Sequence, residues 1–270
     1  MKRPGGFVKE FTLLLMAAFC LKAQVAVPLG TTVSFGVLAG STVTNTGATV
    51  VNGNLGLSPG SSVSGFPPGT VTNGLQHITD AVAAQAQIDL TSAYNNAVGR
   101  TCPASNLLAG DIGGTVITPG VYCNSTSLGI TGTVTLSGNA SSVFIFQIGS
   151  TLTTASNSVV LLTGGVLPSN VFWQVGSAAT LGTGSTFNGT IMAQDSITVT
   201  TGAALNGRAL ARTGAVTLDD NAVTQPGAAT GTPGTAGTPA PPSLILVMLA
   251  LALTAAYSKR EWLLRPFGRS

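Results

Sequence analysis

Charge is the scarcest property of this chain. Only 7% of its 270 residues are Asp, Glu, Lys or Arg, against about 25% in ordinary soluble domains. Most bases lie at the ends: Lys2, Arg3, Lys9 and Lys22 precede Gln24, and Lys259, Arg260, Arg265 and Arg269 follow Tyr257. Between them, Arg100, Arg208 and Arg212 face Asp80, Asp89, Asp111, Asp195, Asp219 and Asp220, three bases against six acids and a net −3. The formal +3 of the whole chain therefore describes its termini. A mildly acidic middle argues against nucleic acid as a partner.

Histidine and cysteine are almost as rare. His77 is the only histidine, beside polar Gln76 and Thr79, and reads as a solvated or capping residue rather than a base. Of the three cysteines, Cys20 sits in an apolar leader, which leaves Cys102 and Cys123 as a pair. Two cysteines and a distant histidine do not make a zinc site. In an oxidising compartment the pair is expected to close a loop of about 20 residues, worth roughly 3 kcal/mol if unstrained; two free thiols are the alternative. No metal-ligand cluster appears. Asp219-Asp220 is the only adjacent acidic pair, and neighbours on a strand point to opposite faces. It is expected to form a turn at the end of the fold. Catalysis by paired carboxylates, as in polysaccharide lyases and glycosidases, lacks its residues. The chain is read as a non-enzyme that needs no cofactor and no metal.

The ends read as addresses. "MKRPGGFVKEFTLLLMAAFCLKAQ" has a basic start, a short apolar run and a small residue at Ala23, the pattern of a secretory signal peptide over 1–23; a retained anchor is the alternative. Residues 226–243 are a Pro/Gly/Thr linker. Residues 244–270 hold an apolar run of about 14 residues, short of the ~20 that span a bilayer, and then a basic tail. Proline, a short apolar helix and terminal arginines resemble a bacterial cell-surface sorting signal, although "PAPPS" stands where Pro-Glu-Pro is usual. An exported protein, extracellular or held at the cell surface by a C-terminal membrane anchor, is expected.

What is abundant is small. Gly alone contributes 35 residues, and Thr is about as common. That mixture favours short strands and tight turns. One segment differs: Ile78, Val82, Ala86, Leu90, Tyr94 and Val98 recur every fourth residue, which predicts a helix over about 75–98 and about 35 Å long. Gly99 is its natural stop. Elsewhere "SVFIFQI", "SVVLL", "NVFWQV", "SITV" and "AVTL" are β-branched and aromatic runs punctuated by Gly, Asn or Ser. They also repeat. "FQIGS" from Phe146 aligns with "WQVGS" from Trp173, and "NGTIMAQDSITV" from Asn188 aligns with "NGRALARTGAVTL" from Asn206. Such periods signal a solenoid, each coil burying its inner face on the next. Asn-Gly at equivalent places suits a corner of positive φ. Coils about 4.8 Å apart would let the helix cover roughly seven of them. A β-sandwich explains neither the repeats nor the lone helix.

The remaining chemistry is hydroxyl-rich. Three tetrads read Thr, Ala or Gly, any residue, then Thr or Asn: Thr46–Thr49, Thr154–Asn157 and Thr183–Thr186. Partial versions start at Ser177 and at Thr201, where Ala204 replaces the final Thr or Asn. On a solenoid, such residues stack about 4.8 Å apart between coils and roughly 6.6 Å apart along a strand, close to repeats of the ice lattice.

Longer stretches carry a resemblance: "FGVLAGSTVTNTGATVVNGNLGLSPGSSVSGFPPG", "DLTSAYNNAVGR", "GGTVITPGVYC", "VFIFQIGSTLTT", "FWQVGSAATLGTGSTFNGTIMA" and "NGRALARTGAVTLDDN". Over about Val33 to Val223 the chain resembles the microbial ice-binding (antifreeze) proteins. The resemblance implies a mostly β fold, a right-handed discontinuous β-solenoid (β-helix) of triangular section, with one long α-helix parallel to its axis, over 24–225. It implies a monomer whose flat face, free of the helix, binds ice through Thr46, Thr49, Thr154, Asn157, Thr183, Thr186 and Thr201. Growth or recrystallisation of ice would be inhibited, or cells held to it. A surface adhesion or matrix module binding polysaccharide is the alternative, weakened because Trp173 lies in a run expected to face the core.

Overall fold

The computed structural model describes residues 24–227. The expected leader at 1–23, the apolar segment and basic tail at 244–270, and the linker beyond residue 227 lie outside the described residues. The fold is a stack of coils whose strands pair only in parallel, in three ladders. One contains seven strands in the order Leu128–Ile130, Leu152–Thr154, Ala179–Leu181, Ile197–Val199, Val216–Asp219, Thr42–Thr46, Ser62–Ser64. A second runs from Gly120–Asn124 through Phe144–Ile148 and Val171–Val175 to Phe35–Ala39, Asn54–Leu57 and Gln76–Ile78. The third runs from Val116–Ile117 through Thr133–Ser137 and Val159–Thr163 to Ala222–Thr224, Val50–Asn52 and Thr70–Thr72. Thr186–Ala193 and Ala204–Ala211 are long enough to serve both the second and third ladders.

Stacking order departs from chain order at one place. The strand Phe35–Ala39 pairs with Ala204–Ala211 on one side and Asn54–Leu57 on the other. The first coils of the chain therefore continue the stack that its last coils complete. The repeated text lies in register: Gln147 pairs with Gln174 and Asn188 with Asn206. Of the Asn-Gly corners, Gly53 and Gly189 adopt positive φ (122° and 115°). Gly207 does not; a Cβ there would lie 1.8 Å from the Gly189 carbonyl oxygen, so close approach between coils selects that glycine.

The helix-side strands are buried on both faces, which explains their unbroken apolar runs. Phe144, Phe146 and Ile148 point into the solenoid, while Ile145 joins Val121, Phe172, Met192 and Leu210 under the helix. Inside, Phe146 stacks on Trp173 with centroids 3.9 Å apart, and Tyr122 and Phe187 extend the aromatic column. Trp173 is fully buried, its indole N–H donating to the Asn188 carbonyl at 3.0 Å.

The helix spans Ala81–Val98, later and shorter than expected. Residues Gln76–Ile78 form a strand instead, and Thr79 takes positive φ. The Asp80 carboxylate then caps the helix by accepting from the Ala83 N–H at 2.8 Å, and His77 Nδ1 lies 2.7 Å from that carboxylate. The buried stripe is Ala83, Ala86, Leu90, Ala93, Tyr94 and Ala97. A strict every-fourth series drifts about 40° per step around a 3.6-residue helix, so Val82 and Val98 emerge into solvent. At about 1.5 Å per residue the helix covers fewer coils than the seven anticipated. At its end the Gln147 amide donates to the carbonyls of Ala97, Val98 and Arg100 at 2.7–3.1 Å, satisfying carbonyls the helix leaves open. The Cys102–Cys123 disulfide ties the following loop to the second ladder.

Arg208 is 3% exposed without a carboxylate partner, and burial lowers its pKa to about 10. Its guanidinium donates to the carbonyls of Val33 and Pro226 and to the Thr190 hydroxyl. One cation thus joins both ends of the described chain to the stack.

Two outcomes test this packing. Trp173→Ala should cost about 3–5 kcal/mol in chemical denaturation. The Asp89 carboxylate accepts from the Thr31 N–H and hydroxyl, both at 2.7 Å, and from Gln85 at 2.9 Å. The Thr31 N–H first, then its hydroxyl, hold the Asp89 pKa below the ordinary 3.8. A depressed folded-state pKa contributes stability above the unfolded value that is lost as pH falls through the folded one. Asp89→Asn should therefore lower stability at neutral pH and flatten its decline on acidification, measured by denaturation across pH 2–7.

Candidate functional site

The seven-stranded ladder is built from triplets with a small or hydroxyl residue between two inward side chains. Inward lie Leu152, Leu181, Ile197, Val199, Val216, Leu218 and Val43. Period-two alternation sends the middle residue outward. Across the strands these middle residues align as Gly129, Thr153, Thr180, Thr198, Thr217, Thr44 and Ser64. Five consecutive rungs therefore present threonine, about 4.8 Å apart. The rank crosses the chain discontinuity intact, with the Thr44 hydroxyl 3.3 Å from that of Thr217. Two residues upstream, about 6.6 Å along each strand, the neighbours are Ser127, Thr151, Ala178, Ser196, Ala215, Thr42 and Ser62. Each is small and uncharged.

Beyond the other edge, the chain turns a corner. Hydrogen bonds from Asn157 N to Thr183 O, Gly184 N to Thr201 O, Gly202 N to Asp219 O and Asp220 N to Thr46 O define the register there. They align Ser156, Thr183, Thr201, Asp219 and Thr46 as an outer rank, and Asn157, Gly184, Gly202, Asp220 and Gly47 as a rank of positive φ. Glycine or Asn/Asp at that second position meets the left-handed backbone directly.

The tetrads read from the sequence divide at this corner. Thr46, Thr183 and Thr201 stand together in the exposed rank. Thr186 is exposed one ladder further on, aligned with Val159 and Ala204. Asn157 supplies a left-handed turn rather than a ranked side chain (φ 57°). Thr49 and Thr154 do not belong to the surface; they are 0% and 3% exposed. Thr49 Oγ1 accepts from Asn221 N at 3.0 Å, and Thr154 Oγ1 accepts from Gly182 N at 2.8 Å. The physical reason is register. "TASN" begins two residues earlier in its coil than "TGST", and the Thr46–Thr49 corner carries one residue more before its next strand. The shared spelling hides opposite orientations. Asp219-Asp220 also departs from expectation: it forms a turn, but beside Thr46 and Thr201 within the stack, not at its end.

Sequence reading missed the main rank because its threonines are singletons. The signal that would find them is apolar-Thr-apolar, as in residues 179–181, 197–199 and 216–218. The third ladder is less even. Val116, Val50 and Leu161 protrude (68%, 41% and 43% exposed) among Thr133, Thr186, Ala204 and Thr70. The helix covers the second ladder. On the seven strands of the threonine ladder, Asp219 is the only charged residue.

An array of small hydroxyls with one carboxylate on the strands of stacked parallel coils belongs to a class of surface-recognition solenoids. The chain belongs to the ice-binding-like family, whose pattern matches residues 37–224. It is 54% identical over 198 residues to an ice-binding protein of Nostoc sp. (strain HG1), covering 72% of each chain. A second ice-binding protein, from Flavobacterium frigoris (strain PS1), is 36% identical over 212 residues, covering 74% of this chain and 76% of that one. A crystal structure of an ice-binding protein from an Antarctic biological consortium is 51% identical with a TM-score of 0.72, covering 75% of this chain and 92% of that one.

The inward hydroxyls generate a prediction. Thr49→Val and Thr154→Val keep shape but strand a backbone N–H, which should cost about 1–3 kcal/mol each. Denaturation should record that loss while the shape of ice crystals grown with either variant matches that of the parent.

Proposed function

We propose that this protein binds ice through the threonine ladder and the corner rank beside it. The observation that carries the reading is the in-register run Thr153, Thr180, Thr198, Thr217, Thr44 with no charge among them. Its relatives' names supply the ligand. Each threonine methyl orders nearby water and each hydroxyl anchors it. Docking on ice releases constrained water, and the close-packed interior holds the ranks in place. Adsorbed molecules pin the advancing front, so growth between them must curve and slows. No bond is made or broken, and no cofactor takes part.

The three ladders are read as walls of a right-handed solenoid of triangular section, one wall under the helix. The disulfide supports an oxidising, extracellular setting. Export by residues 1–23 and retention at the cell surface by 244–270 complete the reading, with the domain acting as a monomer. Polysaccharide adhesion is disfavoured: Trp173, the tryptophan among the described residues, is buried.

Tyrosine at Thr180 or Thr198 should abolish faceting of a single ice crystal and exclude a fluorescently labelled sample from a growing ice hemisphere. Tyrosine at Thr186 should leave both intact. The reverse pattern in folded variants would move the active surface to the third ladder.

A further inference from the structure

The corner rank contains one residue that does not fit its neighbours. Ser156, Thr183, Thr201 and Thr46 offer neutral hydroxyls; Asp219, between Thr201 and Thr46, offers a carboxylate. We propose that Asp219 limits the strength of ice adsorption, so that replacing it with a neutral residue strengthens binding. The proposal rests on the ice-binding reading above and refines it.

The corner must be dissected to see why the side chain is separable from the fold. Three consecutive residues turn this coil where the two parts of the chain meet. Asp220 adopts positive φ, and its carboxylate receives the Ala48 N–H at 3.3 Å across the junction. Asn221 points inward; its N–H reaches Thr49 Oγ1, and its amide donates to the carbonyls of Thr200 and Ala203 at 2.8 and 3.0 Å. These two side chains stitch the junction. Asp219 contributes backbone: its N–H donates to Asn221 Oδ1 at 2.6 Å, and its carbonyl accepts from Gly202 N at 3.0 Å. Its carboxylate bonds the Thr201 hydroxyl. Thr46 takes the same step of the strand one coil on, paired directly with Asp219, so threonine fits the position.

On the proposed surface that carboxylate acts twice against ice. It carries its own hydration shell, which an ordered lattice does not reproduce and which docking must strip. It also takes the Thr201 hydroxyl as a donor, turning that proton away from lattice water. The corner is short here as well, with 219–221 doing what 200–203 do one coil earlier. Thr183 and Thr201 on one side, and Thr46 on the other, are thereby separated by a charged rung.

The experiment compares the parent protein with Asp219→Asn, Asp219→Thr and Thr198→Tyr. It measures thermal hysteresis at matched concentration, partition into a slowly grown ice fraction, and melting temperature. Asp219→Asn keeps an acceptor for Thr201 and removes the charge; it should raise partition at least about twofold if desolvation of the carboxylate opposes docking. Asp219→Thr should raise it further, because it also frees the Thr201 proton. Unchanged or weaker adsorption in Asp219→Asn, with parental melting temperature, overturns the proposal. The Asn variant decides the outcome if the Thr variant fails to fold. Thr198→Tyr separates the two failures: if it adsorbs like the parent, the ladder is not the active surface, and both readings fall. If it is inactive while Asp219→Asn gains nothing, only the role of Asp219 falls.

Discussion

Hydrogen bonding between strands of successive coils sets every other distance in this molecule. Parallel pairing fixes the rise at about 4.8 Å per coil, and residues in register then repeat along the stack on both sides of each strand. The inward repeat makes the core: Phe146 on Trp173, with Tyr122 and Phe187 extending the column. The outward repeat makes the threonine rank. Leu152, Leu181, Val199 and Leu218 join that core from the strands that carry the threonines, so stiffness inside becomes positional order outside. A slip of one residue would exchange them.

The same constraint explains the chain's route. A stack built from one end leaves exposed edges at both ends, and an edge is where other chains can add. Here the coils at 35–78 form one end, and the helix carries the chain back to the other. The coils from 116 to 224 then grow toward the first and close on them, so the junction lies inside the stack. Polar groups that would be costly anywhere else accumulate there and find partners. Arg208 holds two carbonyls and a hydroxyl, and Asn221 bonds four groups of the corner. A buried guanidinium without a counter-ion is tolerated because it meets oxygen acceptors from three parts of the chain at once.

Much of this was legible in the residues, and the part that was not has a common cause. Long repeats survive small errors of register: "FQIGS" and "WQVGS" pair as their alignment implies. Cys102 and Cys123 are bonded, and Trp173 is buried. Short motifs do not survive them. A tetrad spans a corner, and corners here differ by one residue, enough to turn Thr49 inward and leave Thr186 outside. The helix start failed for another reason. Nothing in the apolar spacing marks Gln76–Ile78 as a strand; its pairing with Asn54–Leu57 comes from residues some twenty positions away. Asp80, an ordinary capping residue, was the local clue.

Threonine's abundance conceals a division of labour that composition cannot separate. Its branched Cβ restricts χ1 on any strand, which suits both sides of the wall for different reasons. Facing inward at a corner, the methyl packs while the hydroxyl satisfies a backbone N–H that no strand pairs, as Thr49 and Thr154 do for Asn221 and Gly182. Facing outward, the same stiffness keeps methyl and hydroxyl at defined positions without immobilisation by a neighbour. Serine would lose the methyl and the rotamer restriction; valine would leave the corner N–H unmet. One residue type therefore builds the frame and furnishes the surface. The difference between the two roles is a single position along a strand, decided by pairing with the coils on either side.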